Sequence, residues 1–401
     1  MAKDIPVVVK QRNYVIDLER LLFIMLIVMF HSRVFYREGY WFHFGNMGVE
    51  FFFVTSGILM AKTVKEKYLD SSRPIWEREY TFLFQKFKGV FPYVLLGYFV
   101  IFVEKIIFND SYKSFEGIIR LFFKSFWELI FLRMAGLTNQ VTGMNDPAWY
   151  LSAMFIAMFI LFPFLVYNYN FFARIIAPAI ALIIVGFLMQ NYGTIVCAIG
   201  EYDYFSLFGM KRAIAEISYG IFIFENVEML KLYKGQYTKI ARLFLSLFEI
   251  FGIVITLVAV WRGYGHDLSP VVLLFLGLSI GITFLNESIF TRSFNSIINS
   301  WIKRRHTNKY SVFNVRLYEL CTSLFLSHYE VIWIIDFYKQ KIFSEYSYPS
   351  VMICYVAACV AVAYINVIVV KICTQKCKKI QLRSVFLKQS NDIYKSADID
   401  N

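Results

Sequence analysis

Long runs of apolar residues, each about twenty positions long and separated by short polar segments, dominate this chain. The runs lie near 18–36, 46–62, 90–108, 147–167, 171–190, 206–226, 242–261, 268–289, 314–336 and 349–371. A helix rises 1.5 Å per residue, so about twenty apolar residues match a bilayer core of roughly 30 Å. The pattern predicts an all-α polytopic transmembrane bundle of about ten spans. The 206–226 run is the most interrupted, by Lys211, Arg212 and Glu216. The segment 111–136 is apolar on one face only, with Lys113, Arg120, Lys124, Glu128 and Arg133 on the other. It reads as an interfacial helix or a re-entrant piece. No internal repeat stands out.

Composition narrows the class. Of 401 residues, 58% are hydrophobic and 17% charged, and the mean hydropathy is +0.54. A soluble chain of this size could not hide that much apolar surface. The same figures exclude intrinsic disorder. Six cysteines are too few for a disulfide scaffold. They make no metal-ligand pattern either: Cys373 and Cys377 stand near the end of the last span and Cys197 stands alone. No metal site is expected. The polar start of the chain lacks a cleavage signature after its first apolar run, which is read as a signal anchor.

The net charge of +12 raises the question of nucleic acid. Its distribution answers with a membrane. With the N-terminus in the cytoplasm, inner segments hold 27 Lys and Arg, outer segments nine, and spans five. That asymmetry is the positive-inside rule at work, and it sets both termini inside. The expected organisation is a cytoplasmic N-terminus over 1–17, a transmembrane domain over 18–371, and a basic cytoplasmic tail over 372–401. The expected setting is a cell membrane, with lipids as neighbours and no nucleic-acid partner.

Ionisable groups inside spans are expensive and therefore candidates for function. Arg20 and His31 share the first span. Eleven residues amount to three turns and about 20°, so the two share a face and lie about 16.5 Å apart in depth. The plain alternative is a snorkelling Arg and a packed His. Glu50 follows in the second span, and its distance from the connecting turn predicts a depth like that of His31. A carboxylate beside an imidazole would fix its tautomer and strengthen it as a base. Ser56–Gly57 would let another helix come close. Trp149 and Tyr150, opening the fourth long span, read most simply as interfacial anchors. His328 lies in the outer half of the ninth span, beside Glu330.

These residues together resemble the membrane-bound acyltransferase family 3. Arg20 and His31 match its R-x10-H pattern. Gly48, Val49, Glu50, Phe52, Phe53, Ser56, Gly57 and Leu59 match the run that follows. PAWYLSAMFIAMFILFPFL and FLSHYEVI resemble two later segments, through Trp149, Leu151, Phe155, Pro163 and His328. The likeness runs from about Asn13 to Lys371. Where the family often has an R-x-x-R-x-x-P run, this chain has FQKFKGVFPY, with Lys86 and Gly89 at the Arg positions and Lys88 nearby. The resemblance implies an integral-membrane acyltransferase. It implies acyl-CoA, in the first place acetyl-CoA, as a donor substrate rather than a bound cofactor. The implied acceptor is a hydroxyl of a glycan or lipid-linked glycan at the cell surface or on its way out, and the implied setting is a bacterial inner membrane. His31 and Glu50 are then the catalytic candidates, with His31 as a general base or as the carrier of the acyl group. Arg20, Lys86 and Lys88 are candidates for the donor phosphates. Trp149, Arg212 and His328 are candidates on the acceptor side. The alternative reading is a glycan flippase or another transporter, with intramembrane charges along a permeation path.

Overall fold

Asn13 begins the first helix: its side chain accepts from the backbone N–H of Val15, and α1 runs Tyr14–His31. α2 (Gly48–Lys67) follows, then α3 (Ile75–Phe108) and α4 (Phe115–Leu129), the last capped by Ser114 on the N–H of Gly117. α5 is Ala148–Tyr167. α6 (Tyr169–Phe171) passes through a π-helical turn, Phe172–Ile176, into α7 (Ala177–Tyr192). After a minimal antiparallel pairing of Tyr202–Asp203 with Ser206–Leu207 come α8 (Phe208–Lys231), α9 (Lys239–Arg262), α10 (Ser269–Leu285) and α11 (Ile289–Arg304). α12 (Leu317–Ile342) and α13 (Tyr348–Ala397) follow. This computed structural model describes residues 12–35, 42–137, 143–196, 202–203, 206–263, 267–304, 315–342 and 348–397. Arg37 and Cys197 lie outside them.

Every predicted span coincides with a helix. Among the described residues, seven are long and apolar enough on their own to cross a membrane, and α10 with α11 makes an eighth as a pair bent by 51°. The bend falls at Asn286, whose φ of +60° ends α10 in the left-handed region. The remaining two predicted spans, α1 and α8, carry more charge than a lone span tolerates. Their charges are tolerable because the bundle buries them: Asp17, Glu19, Lys211, Arg212, Glu216 and Glu225 are all within it.

The most interrupted stretch of sequence is therefore the centre of the molecule. α8 crosses α2 with Gly57 against Gly220. A Cβ on Gly57 would run into the carbonyl of Ile217, and one on Gly220 into that of Val54. Two backbones meet there, which is what the Ser56–Gly57 pair allowed. α2, α5 and α12 are 78%, 67% and 56% buried along their apolar windows. α3, α7, α9 and α13 fall between 28% and 33%, so they form the lipid-facing rim.

α4 packs against α3. Ser125 Oγ lies 2.6 Å from Tyr98 Oη, Leu121 packs with Tyr98 and Ile101, and Phe131 packs on Phe87. Later positions along the α4 segment thus meet earlier residues of α3, so α4 runs antiparallel to α3. Gly117, Leu121, Ser125 and Glu128 face the bundle, while Phe115, Ile119 and Phe123 are exposed together with Glu116, Arg120 and Lys124.

Candidate active site

His31 is the last residue of α1 and is half-buried. Its Nδ1 lies 3.2 Å from Tyr329 Oη on α12, and Tyr329 Oη donates to Asp146 Oδ2 at 3.0 Å. Tyrosine has one hydroxyl hydrogen, and here a carboxylate takes it. Oη can then only accept from the imidazole, so Nδ1 carries a hydrogen and the lone pair stays on Nε2. A neutral imidazole with a free Nε2 is what a general base requires.

Asp146 is itself held. Arg133 Nη2 grips Oδ1 at 2.8 Å, and Arg133 Nη1 donates to the carbonyls of Asn145 and Asp146 at 3.2 and 3.0 Å. Glu128, at the foot of α4, accepts from the N–H groups of Met144 and Asn145 at 2.8 and 2.9 Å and stands 3.9 Å from Arg133. Asn145 Nδ2 ties the turn to α12 by donating to the Leu326 carbonyl at 2.6 Å. The segment after α4 thus aims Asp146 at Tyr329. A second imidazole, His328, lies 5.2 Å from His31, centroid to centroid, with its ring tilted by 38°. Its Nδ1 lies 3.1 Å from the Leu324 carbonyl and its Nε2 is buried without a hydrogen-bond partner.

Glu50 departs from its expected place. Its Oε1 accepts from Arg212 Nη2 at 2.5 Å, not from His31. The connecting turn explains the change. Gly45–Met47 tucks in beside Leu26 and Phe30, and Phe51 stacks on Phe23 at 4.6 Å. α2 therefore starts lower than a symmetric turn would put it, and Glu50 lies about one to two helical turns inward of His31. Asp146, through Tyr329, occupies the role expected of Glu50.

At the other end of α1, Arg20 donates to Asp17 at 3.4 Å and lines a cavity of about 680 Å³ with Arg12, Lys62, Lys231 and Lys234. Arg20 lies near Lys86, Tyr150 and Cys321. His31 meets His328 on the same helix that carries Cys321, so Arg20 and His31 do share the α12-facing side of α1. Lys86 is half-buried beside Arg20 but outside that cavity's lining, and Lys88 is exposed with Nζ 4.3 Å from the Phe84 ring centroid. α3 begins fifteen residues before the predicted span, and it is this inward extension that carries both lysines. Between the two ends of α1 stands an aromatic collar: Phe325 lies 6.0 Å from Phe52, 5.5 Å from Tyr150 and 6.3 Å from His328.

Trp149 and Tyr150 are buried, not interfacial. Trp149 lies 5.6 Å from the Arg212 guanidinium, and Tyr150 Oη lies 3.2 Å from Ser56 Oγ. The segment after α4 explains both, because it starts α5 inside the bundle. Of the predicted acceptor-side residues, Trp149 and Arg212 come together around Glu50, and His328 joins His31. Sequence reasoning missed Asp146, Tyr329, Arg133 and the lysines of the inner cavity. The signal for Asp146 was its place just ahead of PAWY; the signal for Tyr329 was its place next to His328. Glu330 meets Asn366 at 3.1 and 3.2 Å. Among the described residues no cluster of His, Cys, Asp and Glu is arranged to hold a metal ion, and Cys321, Cys354, Cys359, Cys373 and Cys377 are free thiols.

Comparison with known proteins shows the family. A family model described as an acyltransferase domain, that of acyltransferase 3, matches residues 13–367. Neither the curated proteins nor the solved structures give a significant match. The chain belongs to the acyltransferase 3 family and is a membrane-embedded acyltransferase.

Proposed function

We propose that this acyltransferase moves an acyl group, acetyl in the first place, from cytoplasmic acyl-CoA to a hydroxyl of a cell-surface or exported glycan. The observation that carries the reading is the chain Asp146–Tyr329–His31, which leaves His31 Nε2 free to accept a proton. Arg20 with Arg12, Lys62, Lys231 and Lys234 suits the anionic end of CoA. The positive-inside asymmetry supports a cytoplasmic position for that cavity and both termini in a cell membrane, the bacterial inner membrane by family resemblance. The pantetheine arm then follows the α12-facing side of α1 past Phe52, Tyr150 and Phe325, over a rise of about 16.5 Å.

In the transfer, the acceptor oxygen bonds to the thioester carbonyl carbon while its proton passes to Nε2. The tetrahedral intermediate collapses with loss of the C–S bond. The departing thiolate takes the proton from Nε2, leaving an ester, free CoA and a neutral imidazole. Tyr329 and Asp146 hold the ring in one tautomer and support its transient positive charge.

The test is release of the CoA thiol from acetyl-CoA, and acetyl transfer to surface glycan, by wild type and His31→Ala in matched membranes. His31→Ala is expected to lose about 10²–10⁴-fold in rate while inserting at wild-type level. Retention of about a third of the activity would assign His31 to packing rather than proton transfer.

A further inference from the structure

The residues that sequence placed on the acceptor side, Trp149, Arg212 and His328, are at most 7% exposed and cannot meet a sugar arriving from outside. Other groups around the relay face outward. His31 is half-buried, the side chain of Asp146 is 39% exposed, and Arg33, two residues past His31, is exposed. Arg33 lies near both His31 and Tyr329. More than three helical turns separate it from Arg20, so phosphates bound in the inner cavity are out of its reach.

A short 3₁₀ turn, Ser32–Phe35, carries Arg33 past the end of α1. The turn is pinned on both sides of the arginine. Ser32 Oγ donates to the Met29 carbonyl at 2.5 Å and lies 2.7 Å from Tyr348 Oη. Phe35 is buried, with its ring 5.3 Å from that of Tyr355. The Arg33 guanidinium sits over the Phe30 ring, 3.9 Å from its centroid, and that ring lies 5.1 Å from the His31 imidazole. A single aromatic ring therefore stands between the cation and the proposed base. Packing on a ring restricts a guanidinium while leaving N–H groups at its edge for an anion.

The charge has no answer within the protein. Among the described residues no carboxylate pairs with Arg33 and no acceptor takes its N–H groups. Asp146, the exposed carboxylate of the relay, is already committed: Arg133 holds Oδ1 at 2.8 Å and the Tyr329 hydroxyl takes Oδ2 at 3.0 Å. An arginine stays charged at any working pH, and its planar fork matches a carboxylate or phosphate through two parallel bonds. A lipid headgroup is a poor source for that anion, because α1 packs within the bundle against α2 and α12 and not on its lipid-facing rim.

We propose that Arg33 binds the acceptor and selects acceptors that carry an oxyanion, a carboxylate or a phosphate, on the acylated sugar or on its neighbour. The inference rests on the proposed acyl transfer at His31 and narrows its acceptor from glycans at large to anionic ones. The anion docks on the Arg33 fork, and a hydroxyl of the same acceptor reaches His31 Nε2 past the Phe30 ring.

The experiment uses the full chain in detergent with acetyl-CoA and three probes: p-nitrophenyl glucoside, p-nitrophenyl glucuronide and p-nitrophenyl glucoside 6-phosphate. Wild type should acetylate at least one anionic probe with kcat/KM about tenfold or more above the glucoside, as one charge-assisted hydrogen bond provides. The better of the two anions names the group. Arg33→Ala should bring that probe down to the level of the glucoside, mainly through KM. Arg33→Lys should recover part of the preference, since the charge stays and the fork is lost. Monodisperse elution at wild-type temperature stability checks each variant's fold. Equal use of all three probes by wild type overturns the proposal, and so does a preference that survives Arg33→Ala; Arg33 then only anchors the outer end of α1. Consumption of acetyl-CoA that does not depend on His31 defeats the relay reading instead. In that case, or if no probe is acetylated, binding of the three probes is read by saturation-transfer NMR in wild type and Arg33→Ala. An anionic probe bound more tightly than the glucoside only while Arg33 is present carries the proposal, and any other pattern overturns it.

Discussion

Around Arg212, in the middle of the bundle, Glu50 closes on the guanidinium at 2.5 Å, Glu216 stands at 3.8 Å and the Trp149 ring lies 5.6 Å away, all of them buried. Around His31, at the outer end of α1, the contacts are longer and pass through a hydroxyl: 3.2 Å to Tyr329, then 3.0 Å on to Asp146, whose side chain is 39% exposed. In the first region Glu50 pairs with Arg212 and joins α2 to α8, while neither Glu216 oxygen has a hydrogen-bond partner. In the second the groups form a directed chain that ends on an imidazole with one nitrogen uncommitted. The geometry separates a charged pair that joins two helices from the chain proposed to do the chemistry.

The largest effect expected from breaking this contrast is at Arg212. Arg212→Met strands Glu50 and Glu216 in the core and should cost about 3–5 kcal/mol of stability, read as a fall in the temperature at which the protein leaves the monodisperse peak. Adding Glu50→Gln to that variant should recover part of it, because one stranded charge is removed. A fully stable Arg212→Met with a specific defect in acceptor use would move Arg212 to the functional side.

Next comes Tyr329→Phe, which leaves the packing of α12 but removes the hydroxyl between His31 and Asp146. It should lower kcat about 10–100-fold, with little change in KM for acetyl-CoA and none in melting behaviour, since a misoriented base costs rate and not affinity. A lower melting temperature with unchanged kcat would make the chain Asp146–Tyr329–His31 structural, like the Arg212 group.

Arg20 sharpens the comparison along α1 itself. Arg20→Ala should weaken acetyl-CoA binding by about 1.5–3 kcal/mol for each charge-assisted hydrogen bond to phosphate that it removes, measured on detergent-solubilised protein. Arg20→Lys should recover part, keeping a point charge without the fork. His31→Ala should bind acetyl-CoA nearly as wild type. Equal weakening in Arg20→Ala and His31→Ala would abolish the division between the two ends. The smallest effect belongs to Lys88: it is exposed and lies against Phe84, so Lys88→Ala should leave donor affinity within about twofold.

The candidate site was half legible in the sequence. Arg20 and His31 lie on one helix, and helical periodicity alone puts two residues eleven apart on one face. Gly57 needed only a partner backbone, which Gly220 supplies. Glu50 failed because its expected depth relied on a symmetric turn, and the tuck of Gly45–Met47 beside Phe30 shifted α2 inward. Trp149 and Tyr150 failed because nothing local says that the segment ahead of them dips into the bundle. Asp146, on that segment, meets Tyr329 across 183 residues of chain.

By itself, then, the sequence determined the type of the long elements and where they fall along the chain, because apolar run length against bilayer thickness and a 3.6-residue period are local quantities. It determined the family and the two ends of α1 by the same kind of short-range spacing. Only the tertiary structure decided which buried charge answers which. Arg212 could have served an acceptor, and Glu50 could have served His31. The choice came from the backbone contact of α2 with α8 and from the descent of α4 along α3. Both depend on packing between segments far apart in the chain, where a shift of one turn exchanges one carboxylate for another.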